Sequence, residues 1–335
     1  MTYQAIFTGW DDLTIEDLLV AYRKAKADSF FENTFPVAIK FAEYEQELLE
    51  NLQKLLDLLQ SEDGFSSNKK LIGKFRLLPK KLTTKKKHES QNGHVHFSNP
   101  KRAADHLFNN FDLIPEFRII GDFPVDSHII SALWINMVGH KFDASLDNCC
   151  YGARLKRIRN DELFSNEQDN PFHISAVGSF SPYFQPYQKW RGDGLKAIRD
   201  ELEKDRDIIA ASLDLKSYYH FIDPLAITSD DLYNTLNIKL TEDEKAFTAQ
   251  LAVFLKHWSD GAAAFGKKIA YKTPVINGGL VIGLTASRII SNILLHHWDK
   301  LVIEKLSPIH YGRYVDDMFL VIRDTGTITN NHEFM

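Results

Sequence analysis

The chain has 335 residues and a formal net charge of −5 at pH 7, with 44% of the residues hydrophobic and 25% charged. This composition is typical of a globular protein with two domains, or with one large domain and an appendage. Because the chain lacks an apolar run of about 18 residues and a signal-peptide pattern, we expect no membrane span and a cytoplasmic location. The only cysteines, Cys149 and Cys150, are neighbours, which excludes a disulfide framework and a four-cysteine zinc site.

The first segment, residues 1–63, is predicted to be a helical N-terminal extension. Thr14 and Asp17 have the spacing of a helix start, and we expect a short helix from there to about residue 27. Apolar residues then recur every three or four positions between residues 36 and 60, which predicts one longer helix. Its apolar stripe suits packing or self-association.

The second segment, residues 64–102, is basic. Within it, residues 64–88 hold nine basic side chains and no acidic one: Lys69, Lys70, Lys74, Arg76, Lys80, Lys81, Lys85, Lys86 and Lys87. A local basic stretch on an acidic protein suits contact with a nucleic-acid backbone, because phosphate contacts depend on local charge. A solvated basic loop explains the same stretch equally well.

The remaining chain is predicted to combine helices with a few strands. Strands are expected at residues 117–120 and 208–215, helices at 125–142, 194–206 and 285–305, and a mostly helical insertion at about 225–275. A β-hairpin is predicted around Asp316, because aromatic and β-branched residues flank it on both sides. This mixture indicates the α+β fold class.

The predicted hairpin carries two adjacent carboxylates, Asp316 and Asp317, between apolar runs. Aspartate is a common turn residue, which explains the geometry but not the doubled charge. Two partly buried carboxylates repel each other and raise each other's pKa unless a cation lies between them. The pair is therefore either a plain turn or one half of a metal site.

A third carboxylate is expected at the same place. Asp214 ends the predicted strand at residues 208–215, and the backbone carbonyl of Leu215 is a further oxygen ligand of the kind that Mg²⁺ prefers. Between the two acidic segments lies a glycine-containing loop with Gly278, Gly279 and Gly283, where the backbone can approach a substrate closely before a helix begins. Carboxylates that converge from separate elements are what two-metal phosphoryl transfer requires.

The order of these segments resembles that of a reverse transcriptase. This family has a strand ending in the first catalytic aspartate, then a glycine loop leading into a helix with Ser and Asn-Ile, then a Tyr-x-Asp-Asp hairpin. Three upstream segments are also similar to elements of the family: FRIIGDFPVD from Phe117, CYGARLKR from Cys150 and LLPKKL from Leu77. The resemblance implies a right-hand polymerase with fingers at residues 103–207, preceded by their start in the basic segment, and a palm at 208–335.

The resemblance also implies roles for individual residues. Asp214 and Asp316 would bind the catalytic Mg²⁺ ions, or Mn²⁺ in their place, with Asp317 completing the set and Leu215 as a carbonyl ligand. Four further residues are expected at the substrate: Arg118 on the triphosphate, Gly283 in the glycine loop, and Lys80 and Arg154 as assisting cations. Tyr219 falls where the family places a gate against the ribose 2′-hydroxyl. A core aromatic at Tyr219 and a solvated loop at Lys80 remain open.

Two departures from the family pattern refine the expectation. The family's loop commonly reads L-P-Q-G, whereas this chain has Leu280, Val281, Ile282 and Gly283. This apolar loop is more similar to the abortive-infection and other phage-defence reverse transcriptases of bacteria.

Only 14 residues follow Val321, too few for a thumb. We therefore expect a fragment, a natural truncation or a second chain that supplies the thumb.

The sequence thus predicts an RNA-directed DNA polymerase of the bacterial defence type. Its expected partners are an RNA template or an associated non-coding RNA, nascent DNA, deoxynucleoside triphosphates, and further copies of the chain or the thumb-supplying chain. One alternative is a thumbless, inactive relic that binds RNA as a partner or scaffold. The other is an RNA-dependent RNA polymerase, against which Tyr219 argues because a small residue is expected there.

Overall fold

The computed structural model describes residues 6–30, 37–84, 99, 101–102, 105, 113–158, 172–269, 279–324 and 326. Its helices are α1 (Ile15–Phe30), α2 (Ala38–Glu45), α3 (Leu48–Leu59), α4 (Lys69–Ile72), α5 (Val125–Trp134), α6 (His140–Ala144), α7 (Phe184–Leu202), α8 (Asp230–Leu236), α9 (Glu242–Ile269), α10 (Thr285–Leu294) and α11 (His296–Leu306). The strands are β1 (Lys74–Thr84), β2 (Leu113–Asp122), β3 (Ile208–Asp214), β4 (His310–Tyr314) and β5 (Asp317–Arg323). The predicted mixture of helix and sheet is confirmed.

The strands form two separate antiparallel sheets. β1 pairs with β2, and a register shift between Pro79 and Lys81 interrupts this ladder, since proline has no N–H to donate. The other sheet has the order β3-β5-β4, so β5 lies between two strands that are far apart in the sequence. The predicted hairpin is confirmed as β4 and β5.

The N-terminal helices share their core with the rest of the chain. The backbone N–H of Thr14 donates to Asp17 at 3.1 Å and that of Asp17 donates to the Thr14 hydroxyl at 3.3 Å, which fixes the start of α1 as predicted. α1 packs on α5, and one continuous cluster of buried apolar residues extends from Phe7 to Ile293. The described residues 6–30 and 37–59 are thus packed into this shared core, which among the described residues continues past residue 63 with Phe65 and Leu71.

Two predicted helices are each divided in two. The helix expected at residues 36–60 is interrupted at Gln46 and Glu47, where Glu47 leaves the helical region with φ −131° and ψ 44°. Asn51 donates to the carbonyl oxygen of Tyr44 at 3.0 Å and so satisfies the end of α2. The helix expected at 285–305 breaks at Leu295. Neither break has a glycine or proline that would mark it in the sequence.

Two further elements differ in extent or regularity. The predicted helix at 125–142 contains a π-helical turn at Ile135–Gly139 between α5 and α6. The helix predicted to begin at residue 194 begins ten residues earlier, at Phe184, because Pro186 lies in the first turn, where a missing N–H costs nothing. Short 3₁₀ turns at Tyr218–Phe221 and Pro224–Thr228 follow β3 and lead into α8 and α9, the predicted helical insertion.

The three-stranded sheet lies between two helices. On one face α7 packs closely, with the Trp190 ring 6.0 Å from the Phe319 ring and Gly194 in contact with Phe319. On the opposite face Val302 of α11 joins a second small core with residues of β4 and β5. Among the described residues, no helix is long and apolar enough to cross a lipid bilayer.

Candidate active site

Two of the predicted carboxylates face each other across the three-stranded sheet. Asp214 is the last residue of β3 and is the direct partner of Asp317, the first residue of β5. Side chains of directly paired residues project from the same face, with Cβ atoms about 4.5–5.5 Å apart. Like charges on directly paired residues are destabilising, so this pair lowers the stability of the folded protein at this end of the sheet.

The third carboxylate lies in a strained turn beside this pair. Only Val315 and Asp316 connect β4 to β5, and Val315 has φ +58°. A β-branched residue in the left-handed region is rare and costs about 1–3 kcal/mol, and two-residue hairpins usually place glycine or asparagine there. The N–H of Leu215 donates to the carbonyl oxygen of Asp316 at 3.2 Å, which joins the end of β3 to the turn.

The three carboxylates interact electrostatically. Burial raises the pKa of the Asp316 carboxyl above its ordinary value, the neighbouring Asp214 raises it further, and the Arg118 and Arg313 guanidinium groups oppose both effects. Burial likewise raises the pKa of Asp317, and the charges of Asp316 and Asp214 add to the increase. A positive charge placed beside these two half-buried groups would therefore stabilise their ionised, carboxylate form.

Arg118 is the predicted substrate residue that lies near these carboxylates. It is exposed on β2, in the other sheet, yet its charge acts on Asp316. Its partner on β1 is Leu78, and Lys80 follows two positions later, exposed and next to the register shift. The charge of Arg118 thus reaches the carboxylates, and its role at the substrate, like that of Lys80, stays a prediction.

The glycine loop connects the two sheets. The N–H of Gly121 on β2 donates to the carbonyl oxygen of Ile282 at 3.2 Å. Gly283 has φ +123° and lies against the Gly121 carbonyl, where an added Cβ would be only 3.2 Å from that oxygen. Gly279 has φ +89°, and a Cβ there would be 2.3 Å from the carbonyl oxygen of Tyr219. Both described positions need glycine, and Gly278 lies outside the described residues.

Tyr219 is half-buried in the 3₁₀ turn after β3. Its hydroxyl lies 3.0 Å from the Ser291 hydroxyl on α10, and the neighbouring Tyr218 donates to the Ser291 carbonyl at 2.7 Å. The Tyr219 carbonyl accepts from the N–H of Leu280 at 2.7 Å. This tyrosine is therefore fixed between the end of β3, the glycine loop and α10. Such a position is consistent with a gate at the sugar and with a core aromatic.

Arg154 has a structural environment. Its Nε donates to Asp143 at 3.0 Å, and its two terminal nitrogens donate to the carbonyl oxygens of Asp143, Leu146, Asp147 and Cys150. These five bonds use all five guanidinium donors, so none is left for a triphosphate. The geometry favours a role in closing the loop after α6 over the predicted assistance at the substrate.

Arg313 is a site residue that the sequence did not indicate. It is completely buried on β4, three positions before Asp316, and its charge acts on that carboxyl. The one sequence signal is a charged residue between Tyr311 and Tyr314 in a strand that precedes the two aspartates. The partner on α11, Asp299, lies 14 residues earlier, and no local pattern connects the two.

The donor set fits a hard divalent cation. Carboxylate oxygens of Asp214, Asp316 and Asp317 are the ligands that Mg²⁺ and Mn²⁺ prefer, and within the described part of the chain the Leu215 carbonyl accepts one hydrogen bond, from the Tyr218 backbone N–H at 3.1 Å. Among the described residues, no group of three or more His, Cys, Asp and Glu side chains is placed so that it could hold a metal ion as it stands. The case for a cation therefore rests on the ligand types and on the closeness of three like charges, two of which, Asp316 and Asp317, have a raised pKa.

Comparison with known proteins gives no independent assignment. No family model matches the sequence, and no curated protein matches it. Function must therefore be inferred from the chain's own residues and their geometry.

Proposed function

We propose that this protein is an RNA-directed DNA polymerase that transfers nucleotides from deoxynucleoside triphosphates to a 3′-hydroxyl. The observation that carries the proposal is the opposition of Asp214 and Asp317 beside the strained Asp316 turn. Such an arrangement costs stability in a metal-free protein and becomes favourable when a cation is bound. In the proposed polymerase, β3, β4 and β5 belong to the palm, and β1 and β2 belong to the fingers.

Different residues of the chain would have different roles in the proposed reaction. Mg²⁺, or Mn²⁺ in its place, held by the three aspartates would activate the 3′-hydroxyl and neutralise charge on the leaving pyrophosphate. Arg118 would hold the triphosphate, because a guanidinium binds phosphate oxygens in pairs and its charge lies near Asp316. Tyr219, fixed by Ser291, would exclude a ribose 2′-hydroxyl and so select deoxynucleotides.

An open surface leads to the carboxylates. Ala210 and Ser212 project from the same face of β3 as Asp214, and all three are exposed, so this part of the sheet is not covered by α7. The exposed rings of Tyr183, Phe184 and Tyr187 lie at the start of α7, and Tyr187 is 5.3 Å from Tyr314, the cross-strand partner of Asp317 on β4. Exposed aromatic rings suit the stacking of unpaired bases. This surface supports access for nucleic acid.

The basic segment supports an RNA partner. Its described lysines at positions 69, 70, 74 and 80 are all exposed on α4 and β1. The apolar loop at Ile282 further supports the phage-defence type, whose expected partners are a template or associated non-coding RNA, nascent DNA and additional chains. The same basic surface favours the second candidate, an inactive polymerase relic that binds RNA as a partner or scaffold.

The test is a primer-extension assay with the purified protein and Mg²⁺. One arm contains a primer annealed to RNA, one contains the primer alone, and each receives either deoxynucleotides or ribonucleotides. We expect DNA complementary to the RNA in the first arm and no ribonucleotide product. A product of random sequence in both arms would show that the protein synthesises DNA without copying a template. RNA binding without extension in any arm would favour the relic.

The proposed sugar gate has its own variant. Tyr219→Ala is expected to admit ribonucleotides while deoxynucleotide extension continues, because the ring no longer occupies the space beside the 2′-carbon. Tyr218→Phe is the matched control, since it alters the neighbouring aromatic and removes only the hydroxyl that donates to Ser291. An unchanged sugar preference in Tyr219→Ala would assign Tyr219 to the core instead.

A further inference from the structure

An ion pair lies fully buried beneath the Asp316 turn. Arg313 on β4 is 0% exposed and Asp299 on α11 is 1% exposed. The Arg313 Nε and one terminal nitrogen each donate to Asp299 at 2.7 Å, and the Tyr311 hydroxyl donates to the same carboxylate at 2.7 Å. Both charges are therefore completely satisfied inside the protein.

Stability alone does not account for this pair. Removing two charges from water costs several kcal/mol per ion, and replacing a buried pair by apolar residues of similar volume is often neutral or stabilising. The small core around Val302, Met318 and Leu320 could accommodate such apolar residues. The position of the ion pair beneath the Val315–Asp316 turn gives a reason for its presence that stability does not give.

Arg313 connects the turn to the helix behind it. One terminal nitrogen donates both to the carbonyl oxygen of Val315 at 2.8 Å and to the Asn292 side chain at 3.0 Å. The other donates to the Asn292 carbonyl at 3.1 Å. The Val315 carbonyl belongs to the peptide unit that leads into Asp316, so the guanidinium fixes the strained residue and the orientation of the next one.

The turn is also restricted from its other side. The Asn292 amide donates to the Gly152 carbonyl at 2.7 Å, and an added Cβ at Gly152 would lie 2.8 Å from the Val315 nitrogen. The backbone of Arg313 pairs with the segment at Cys149 and Tyr151, at 2.7 and 2.8 Å. The strained turn is thus enclosed between the Gly152 backbone and the Arg313 guanidinium.

We infer that Arg313 is a positioning residue that holds the Val315–Asp316 turn in its strained form and so keeps the Asp316 carboxylate beside Asp214 before any cation binds. The inference rests on the proposed function, because it assigns the turn to a cation site. Without the contact to the Val315 carbonyl, the turn relaxes and the carboxylates lose their common geometry. The cation affinity then falls, although the fold persists.

Two variants separate positioning from folding. Arg313→Met combined with Asp299→Leu removes both charges, so no unpaired charge stays buried, and it also removes the contact to Val315. Arg313→Lys keeps the positive charge beside Asp299, but an ammonium is too compact to contact Asp299, Asn292 and Val315 together. Tyr311→Phe is the matched control, because it removes a buried bond to Asp299 and leaves the contact to Val315 intact.

The measurement is Mn²⁺ binding to the full chain by electron paramagnetic resonance, with circular dichroism to establish folding. We expect the double variant and Arg313→Lys to bind Mn²⁺ about 10–100-fold more weakly, as is typical for groups that orient metal ligands. Tyr311→Phe should bind like the wild type, and Asp316→Asn should lose binding. If the double variant does not fold, the Mn²⁺ affinity of Arg313→Lys alone tests the positioning role.

The outcomes distinguish the two proposals. Wild-type affinity in the folded Arg313 variants, with loss in Asp316→Asn, would overturn the positioning role and leave the proposed function standing. An equal loss in Tyr311→Phe would also overturn it, because the effect would then follow from general damage to the buried network. A wild-type protein that binds no Mn²⁺ would overturn both proposals.

Discussion

At the scale of single residues, the site is defined by charges that oppose folding. Asp214 and Asp317 are cross-strand partners, and Asp316 adds a third carboxylate in a turn whose first residue is strained. Burial raises the pKa of Asp316 and Asp317, the charge of Asp214 adds to both increases, and the charge of Asp316 adds to that of Asp317. A protein keeps such a combination where it serves a ligand, because each part could be removed at a gain in stability.

The first prediction follows from this repulsion. Asp317→Asn should stabilise the metal-free protein at pH 7 by about 0.2–1 kcal/mol, since it removes a like-charge pair from the ladder. Chemical denaturation in the presence of a chelator measures the effect, and Asp231→Asn, on the exposed start of α8, is the control. Mg²⁺ should then stabilise the wild type more than the variant. A variant less stable than the wild type without metal would contradict the proposed repulsion.

The pH dependence of this gain has a definite sign. A carboxyl whose pKa is raised in the folded state binds its proton more tightly there than in the unfolded chain, so its contribution to stability falls as pH rises. The advantage of Asp317→Asn should therefore be absent below the ordinary aspartate pKa of 3.8 and grow as pH rises through the raised value. Denaturation at several pH values checks this, and an advantage that shrinks toward neutral pH would be the contrary result.

At the scale of elements, the site depends on three connections between separate segments. The glycine loop contacts β2 through Gly121, the turn after β3 contacts the loop through Tyr219, and the carboxylate hairpin contacts α10 and α11 through Arg313. The first two connections join segments that are far apart in the sequence through backbone carbonyls, and the third also uses the Asp299 carboxylate. Small changes in the loop are therefore expected to affect the whole site.

A pair of glycine substitutions tests the loop. Gly279→Ala should destabilise the protein by about 2–3 kcal/mol, because the residue has a positive φ and its Cβ would clash with the Tyr219 carbonyl. Gly192→Ala is the matched control, since it lies inside α7 with open space around it and should stabilise by about 0.5–1 kcal/mol. Thermal unfolding measures both. A tolerated Gly279→Ala would mean that the loop can shift without cost.

The basic element gives a prediction on nucleic-acid binding. Replacing Lys69, Lys70 and Lys74 with glutamine should weaken RNA binding regardless of sequence and reduce its salt dependence by about one unit of slope for each lysine on a phosphate. Titrations at several salt concentrations measure the slope, with Lys305→Gln on α11 as the control. An unchanged slope would assign the lysines to a solvated surface and remove one support of the RNA partner.

At the scale of the whole molecule, local patterns predicted what local forces determine. The hairpin, the strand ending at Asp214 and the start of α1 follow from alternation and capping, and all three are found. The breaks at residues 46–47 and at Leu295 have no glycine or proline to mark them, so the apolar periodicity continues through both. The contacts of Arg313 and Arg154 were missed because no spacing pattern marks them: Asp299 lies on α11, and the carbonyls around Arg154 lie in α6 and the loop after it.

The proposal that the three aspartates carry out nucleotide transfer is tested by measuring incorporation of one labelled deoxynucleotide by Asp316→Asn beside the wild type. Both proteins are assayed with Mg²⁺ and a primed RNA after equal folding is established, together with Asp231→Asn as a matched loss of charge. We predict incorporation by the wild type and the control, and only the protein-free background for Asp316→Asn. Equal incorporation by all three proteins would contradict it, because the reaction would then not depend on this site.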